Sequence, residues 1–215
     1  MGEDWVLPRT ATPEDPLKIA ILISGSGSGM EALIKGQQMS GSYHQTVIVI
    51  SDRANAGGLE KASKLGVKSV TVPVVEVENN RAVHEKEINE ILHDLDIELV
   101  VLSGYMRILS ESFVKPWAGR LLNIHPSLLP KFPGTHAHRD AINAKAKTSG
   151  CTVHFVDSGV DSGPILAQAE VPVYSHDDEN SLGARVKTEE HKLYPEIINR
   201  LARGEIQSPS NPQDN

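Results

Sequence analysis

Short apolar runs alternate with segments of helical periodicity along most of this chain. The runs are four to seven residues long and contain many Ile, Val and Leu residues, as buried strands do. The predicted strands are Lys18–Ile23, Thr46–Ser51, Ser69–Val72, Glu98–Leu102, Leu121–His125, Thr152–Val156 and Ile165–Val171. The predicted helices are Leu59–Leu65, Arg81–Leu95 and Glu111–Trp117, with two more that start near Met30 and near Asn180 or Ser181. This alternation predicts parallel β-α-β units.

The last two predicted strands differ from the others because only a glycine-containing turn separates them. A connection this short favours an antiparallel pair. We therefore predict an α/β fold with a doubly wound, mostly parallel sheet, helices on both faces and an antiparallel edge. We expect residues 1–17 to be a flexible extension outside the core, 18–204 to form a single domain, and 205–215 to be a tail.

Composition narrows the functional classes. The 215 residues contain 21 Lys and Arg against 28 Asp and Glu, a formal charge of −7, which disfavours binding to bulk nucleic acid. A single cysteine, Cys151, cannot form an intrachain disulfide. No apolar run approaches the ~20 residues of a membrane span, and no secretory leader opens the chain. We expect a cytoplasmic protein without a membrane or nucleic-acid partner.

The first candidate for chemistry is the segment from Ser24 to Gly29, Ser-Gly-Ser-Gly-Ser-Gly, between a predicted strand and a predicted helix. Unpaired N–H groups at a helix start bind anions, and glycines let a phosphate approach closely. The segment is not a Walker A loop. As a dinucleotide fingerprint it lacks the third glycine, which would fall on Met30, although Asp52 could serve as a ribose-binding acid. A phosphate loop and a plain flexible turn both remain open.

The second candidate is the pair Asn123 and His125, two residues apart at the carboxyl end of a predicted strand. Side chains with this spacing share one face of a strand. An amide could stabilise a developing oxyanion while an imidazole moves a proton. The pair could equally be an Asn that satisfies backbone groups beside a structural His.

Other segments carry polar or exposed groups but are less decisive. The carboxylates Asp157 and Asp161 could be turn residues, or one could pair with His125. The stretch Tyr105–Leu109 could line a cleft or belong to core and surface. On the last helix Lys187, Glu190 and His191 could form a charge-paired face. Three further histidines lack the partners of a metal motif, so we expect no metal site: His136, His138 and His154.

Together, the glycine segment, Gly104–Leu109, Asn123–Pro130 and Val160–Pro164 resemble the phosphoribosylglycinamide formyltransferases (glycinamide ribonucleotide transformylases) of the folate-dependent formyltransferase family. The resemblance runs from about Lys18 to Gly204. It implies a formyltransferase-like, Rossmann-related fold. It also implies transfer of a formyl group from 10-formyltetrahydrofolate to the amine of glycinamide ribonucleotide, in purine synthesis. These two small molecules are the expected partners, and the expected state is a monomer or homodimer.

The resemblance also assigns roles to residues. Asn123 would hold the formyl oxygen, His125 would serve the tetrahedral intermediate, and Asp161 would tune His125 and help move the proton. The residues that match the nucleotide-binding positions of the family are Gly27, Ser28, Gly29, Lys187 and Glu190. Those that match its folate-binding positions are Arg81, Met106, Arg107, Ile108, Leu109, Asn123, Asp157 and Asp161.

One position departs from the family pattern. The loop usually reads Ser-Gly-x-Gly-Ser-Asn, and here Gly29 replaces the asparagine. The change removes a side-chain donor and keeps the backbone N–H, so phosphate binding is expected to survive.

Four other functions compete with this assignment. A formyltetrahydrofolate deformylase shares the Asn-His-Asp set but has a regulatory domain that seventeen residues before Lys18 could not supply. A methionyl-tRNA formyltransferase has a further tRNA-binding domain. A non-catalytic nucleotide- or folate-binding protein need not keep Asn123, His125 and Asp161 together. A nicotinamide dehydrogenase would need a glycine in place of Met30.

Overall fold

The computed structural model describes residues 5–38, 41–74 and 80–207. The strands are β1 Leu17–Ile23, β2 His44–Ser51, β3 Lys68–Thr71, β4 Leu99–Leu102, β5 Leu121–His125, β6 Thr148–Phe155 and β7 Ile165–Pro172. The helices are α1 Ser28–Gln37, α2 Gly57–Lys64, α3 Asn80–Asp94, α4 Glu111–Val114, α5 Ala137–Asn143 and α6 Glu179–Ala202. A 3₁₀ turn, Lys115–Trp117, follows α4.

The strands form one seven-stranded sheet in the order β3-β2-β1-β4-β5-β6-β7. The first five are parallel, whereas β6 is antiparallel to β5 and β7 is antiparallel to β6. The predicted α/β class, parallel centre and antiparallel edge are therefore confirmed. The strand order reverses between β1 and β4, which creates a crevice at the carboxyl ends of these strands.

Each face of the sheet is covered by helices, because successive residues of a buried strand point to opposite faces. On one face Ile19 and Ile21 of β1 join a core that includes residues of α1 and α6. On the other face Ala20 and Leu22 pack in a core with residues of α3 and the 3₁₀ turn. Strands covered on both faces read as continuous apolar runs, which is why the pattern located them.

Two helical segments differ from the expectation. The predicted helix Glu111–Trp117 is a single α-turn, Glu111–Val114, continued as a 3₁₀ turn that contains Pro116. The helix α5 was not predicted. Its buried residues are only Ala137 and Ala141, so it has a weak apolar stripe.

The segment of residues 5–16 differs from the expected extension, because it runs along the core. The Trp5 ring lies 5.3 Å from the ring of Phe155, and Ala11 is 3% exposed. The N–H of Val6 donates to the carbonyl of Ala118, and the Arg9 guanidinium binds Glu98 at 2.6 Å. Leu17, at the expected boundary, is fully buried as the first residue of β1.

Candidate active site

A cavity of about 480 Å³ opens at the carboxyl ends of β1, β4 and β5. Its walls come from the loops that follow these three strands, from the turn between β6 and β7, and from one side of α6. Open α/β sheets bind their ligands at this kind of crevice, where the strand order reverses.

The centre of the cavity holds a histidine–carboxylate pair. The Nδ1 atom of His125 lies 3.2 Å from Oδ2 of Asp161, and the His125 side chain is 5% exposed. The same Asp161 oxygen accepts the N–H of Gly134 at 2.8 Å. The other ring nitrogen of His125, Nε2, faces the carbonyl oxygen of Phe132 at 2.9 Å. Both ring nitrogens thus face oxygens that accept hydrogen bonds, an arrangement that an imidazolium satisfies fully.

A second histidine, His154, orients the predicted amide. His154 lies directly opposite Asn123 in the antiparallel β5–β6 pair. Its Nδ1 faces the Phe155 carbonyl at 2.8 Å, so Nδ1 carries the proton and Nε2 is an acceptor. Burial lowers the pKa of the His154 imidazole, which keeps the ring neutral.

The neutral ring leaves one donor of the amide free. Asn123 Nδ2 lies 3.2 Å from Nε2 of His154 and donates one of its two N–H groups to it. The second N–H remains for a ligand in the cavity. From the sequence alone, His154 is considered only as a metal ligand and receives no functional role. The register of the β5–β6 pair would have identified His154, because it places this residue across from Asn123 on the same face of the sheet.

The loop after β5 is fixed by buried polar contacts, and these explain the Ser-Leu-Leu-Pro segment. The Thr152 hydroxyl donates to the carbonyl of Ser127 at 2.6 Å and accepts the N–H of Leu129 at 3.0 Å. The Gln168 amide donates to the carbonyl of Leu129 at 2.8 Å. These bonds hold the segment that carries the Phe132 carbonyl and the Gly134 N–H against His125 and Asp161.

The β1–α1 loop forms one wall of the cavity. Gly27 has φ +65°, and a Cβ there would lie 2.7 Å from Cα of Gly58, so only glycine fits. Gly27 is the N-cap of α1 and supplies no side chain to cap the helix. The first N–H groups of α1 are therefore available to an anion, and Ser28 and Gly29 line the cavity beside them.

Helix α6 contributes two charged groups to the same wall. Lys187 and Glu190 are three residues apart, so they share one face of the helix, and both line the cavity. Burial raises the pKa of the Glu190 carboxyl to about 7, and the Lys187 charge opposes this rise. Near neutral pH this carboxyl is therefore present in both its protonated and its ionised form.

Another part of the cavity wall is apolar. Met106, Ile108 and Val160 are more than half exposed at this wall, which is unusual for large apolar side chains. The loop that carries Met106 is tied to β1, since the N–H of Met106 donates to Ser24 Oγ at 2.9 Å. Arg107 Nε donates to the buried carboxylate of Asp52 at 2.7 Å.

Thirteen of the fourteen predicted site residues line this one cavity: Gly27, Ser28, Gly29, Met106, Arg107, Ile108, Leu109, Asn123, His125, Asp157, Asp161, Lys187 and Glu190. Arg81 does not. It is exposed in the first turn of α3 and is absent from the described lining of the cavity. Among residues 5–38, 41–74 and 80–207, no group of three His, Cys, Asp or Glu residues could hold a metal ion. In the same part of the chain no helix has the length and apolar character needed to span a bilayer.

Comparison with known proteins identifies the family. Residues 17–198 match the family model described as formyl transferase. The chain is 41% identical to the phosphoribosylglycinamide formyltransferase of Escherichia coli, over 91% of this chain and 92% of that protein. It is also 45% identical to the trifunctional purine biosynthetic protein adenosine-3 of Drosophila pseudoobscura, over 90% of this chain. It spans only 14% of the length of that relative.

Solved structures agree with this comparison. The phosphoribosylglycinamide formyltransferase of Brucella melitensis superposes with a TM-score of 0.83 at 45% identity, over 90% of this chain and all of that one. The glycinamide ribonucleotide transformylase 1 of Symbiobacterium toebii gives 0.85 at 40% identity, over 91% and 92% of the two chains. The match covers the whole sheet and the loops around the cavity, and the chain belongs to the formyl transferase family.

Proposed function

We propose that this chain transfers a formyl group from 10-formyltetrahydrofolate to the amine of glycinamide ribonucleotide, as a phosphoribosylglycinamide formyltransferase of purine synthesis. The observation that carries the proposal is the position of the His125–Asp161 pair. The pair lines the same cavity as the uncapped first turn of α1 and the exposed apolar side chains of Met106, Ile108 and Val160. Relatives that carry this name match the chain over almost their whole length.

The ribonucleotide fits the wall formed by α1 and α6. The free N–H groups at the start of α1 suit a phosphate, and the dipole of the helix favours its negative charge. Lys187 adds a positive charge at the same wall. Glu190 can bind sugar hydroxyl groups either as an acceptor or as a protonated donor.

The folate fits the apolar part of the wall. Its flat rings suit a cleft that presents Met106, Ile108 and Val160, because contact with the rings would remove these exposed apolar side chains from water. The cavity volume of about 480 Å³ lies within the range of small-molecule sites. We assign no metal to the reaction. Arg81 stays a prediction from position alone.

The chain's own groups supply the chemistry between these walls. As the amine nitrogen attacks the formyl carbon, charge develops on the formyl oxygen. The free N–H of Asn123 donates to this oxygen, and His125 serves the tetrahedral intermediate beside it. Oδ1 of Asp161 carries no short hydrogen bond among the described residues and is the group that accepts the amine proton. The carbon–nitrogen bond to the folate then breaks, and the proton passes to the departing folate nitrogen.

A direct assay separates this proposal from its rivals. The protein is mixed with 10-formyltetrahydrofolate, with and without glycinamide ribonucleotide, while folate absorbance and free formate are followed. Folate release that needs the ribonucleotide and yields no formate supports the transferase. Formate release without the ribonucleotide would instead indicate a deformylase, and no release in either case would indicate a binding protein. The Asp161→Asn variant is the matched control for contaminating activity. We place the reaction in the cytoplasm, in a monomer or homodimer.

A further inference from the structure

Ser103 is the first residue after β4, and its backbone fixes it beside the β1–α1 loop. The N–H of Ser103 donates to the carbonyl of Leu22 at 3.0 Å, which continues the pairing of β4 with β1. The N–H of Ser24 donates to the carbonyl of Gly104 at 3.1 Å. These two bonds place the Ser103 side chain next to the first turn of α1.

The Ser103 hydroxyl occupies the space that a side chain at Gly29 would need. A Cβ on Gly29 would lie 2.5 Å from Oγ of Ser103, and its only other neighbour within 4 Å would be Cβ of Ser103 at 3.9 Å. From standard bond lengths, Oγ then lies within roughly 5 Å of the Gly29 nitrogen. The hydroxyl is thus beside the N–H groups that would hold an anion.

This hydroxyl has no partner of its own in the described part of the chain. Ser103 is 8% exposed, and that small exposed surface faces the cavity. None of the hydrogen bonds among residues 5–38, 41–74 and 80–207 involves its Oγ. The hydroxyl is therefore open to the cavity, and donation to a charged ligand there makes a strong hydrogen bond.

We propose that the Ser103 hydroxyl donates a hydrogen bond to the phosphate group of the ribonucleotide bound at the start of α1. The inference rests on the proposed function and deepens it. Ser103 supplies from β4 the side-chain donor that Gly29 does not supply from α1. The absence of a side chain at position 29 is what allows the hydroxyl to reach this place.

A double-mutant cycle on Ser103 and Gly29 tests the inference. Ser103→Ala is expected to raise the KM for glycinamide ribonucleotide about tenfold or more, since it removes a hydrogen bond to a charged group. The value of kcat and the KM for the folate stay unchanged. Gly29→Ala forces the hydroxyl to turn away, so it raises the same KM by a similar factor. The double variant shows the effect of one substitution only, because both remove the same contact.

Two outcomes would overturn the inference: an unchanged KM for the ribonucleotide in Ser103→Ala, or effects of the two substitutions that multiply in the double variant. Ser63→Ala, on the exposed side of α2, is the matched control for loss of a hydroxyl and leaves all constants unchanged. Denaturant unfolding of each variant shows whether the fold is intact.

A second probe keeps this test independent of the proposed reaction. Inorganic phosphate should bind the wild-type protein at the start of α1, and Ser103→Ala should weaken that binding several-fold in a calorimetric titration. If no formyl transfer is found but this weakening is, the proposed function fails while the Ser103 contact with phosphate stands. Equal phosphate binding by the two proteins overturns the contact, whatever the reaction.

Discussion

Glu190 makes the stability of this protein depend on pH in a way that one substitution should remove. Its carboxyl faces the cavity from α6, and burial raises its pKa from 4.5 to about 7. A raised pKa in the native state means that the native protein holds a proton that the unfolded chain releases. The stabilising contribution is complete below pH 4.5 and is lost as the pH rises through 7.

The magnitude follows from the two pKa values. The interval from 4.5 to about 7 corresponds to about 3.4 kcal/mol of unfolding free energy at most. Glu190 is only partly buried, so solvent screening reduces this figure, and we expect about 2 kcal/mol. Glu190→Gln keeps the shape of the neutral side chain and cannot ionise. At pH 5 the carboxyl of the unfolded chain is already mostly ionised, so about a quarter of this effect is lost by then. The variant should therefore gain about 1.5 kcal/mol over wild type at about pH 8, relative to the same comparison at about pH 5.

Urea unfolding of both proteins at the two pH values measures this difference from the midpoints and slopes. Glu87→Gln is the matched control, because Glu87 is exposed on α3 and makes no ion pair within the described residues. Its effect should be within about 0.5 kcal/mol at both pH values. Equal effects of Glu190→Gln at the two pH values would show that water in the cavity solvates the carboxylate fully, and the reasoning from burial would be wrong.

Three further predictions concern the same cavity. His125→Ala and Asp161→Asn should each lower kcat by about 10² to 10⁴ with little change in either KM, as steady-state kinetics on folded variants will show; an unchanged kcat would remove the proposed mechanism. Lys187→Ala should raise the KM for the ribonucleotide about tenfold at constant kcat, and a defect in kcat alone would contradict its place near the phosphate. Gly27→Ala should destabilise the fold by about 2 kcal/mol or more in urea unfolding, because position 27 has φ +65° and a Cβ would meet Gly58 at 2.7 Å; a fully stable variant would show that the loop can move aside.

The sheet could be predicted from the sequence because its strands are buried on both faces. In β1 and β4 nearly every residue is apolar and fully buried, so each strand appears as an uninterrupted run. The spacing of Asn123 and His125 also carried information, since residues two apart on a strand share a face whatever the rest of the fold does.

What the sequence did not reveal depends on contacts between distant segments. Residues 5–16 contain three prolines and one short apolar stretch, Trp5–Leu7, and they show no periodicity. Distant segments hold them in place, as in the packing of Trp5 on Phe155 and the ion pair of Arg9 with Glu98, 89 residues apart. The role of Ser103 is hidden for the same reason, because it depends on the space left by a glycine on another element. No pattern among neighbouring residues in the sequence indicates either of these contacts.

The catalytic geometry that we propose depends on the antiparallel edge of the sheet. A parallel β6 would carry His154 away from its place opposite Asn123 and would need a long crossover before the chain could return. Because β6 is antiparallel, it pairs His154 with Asn123 directly, and the short turn after it folds back toward β5. Gly163 permits this return, since a Cβ there would clash with the carbonyl oxygen of Phe155. The turn after β6 begins beside Leu122, near the amino end of β5. From this turn Asp161 reaches back to His125, at the carboxyl end of β5. The antiparallel strand β6 therefore supplies both His154 and the turn that carries Asp161 to the site.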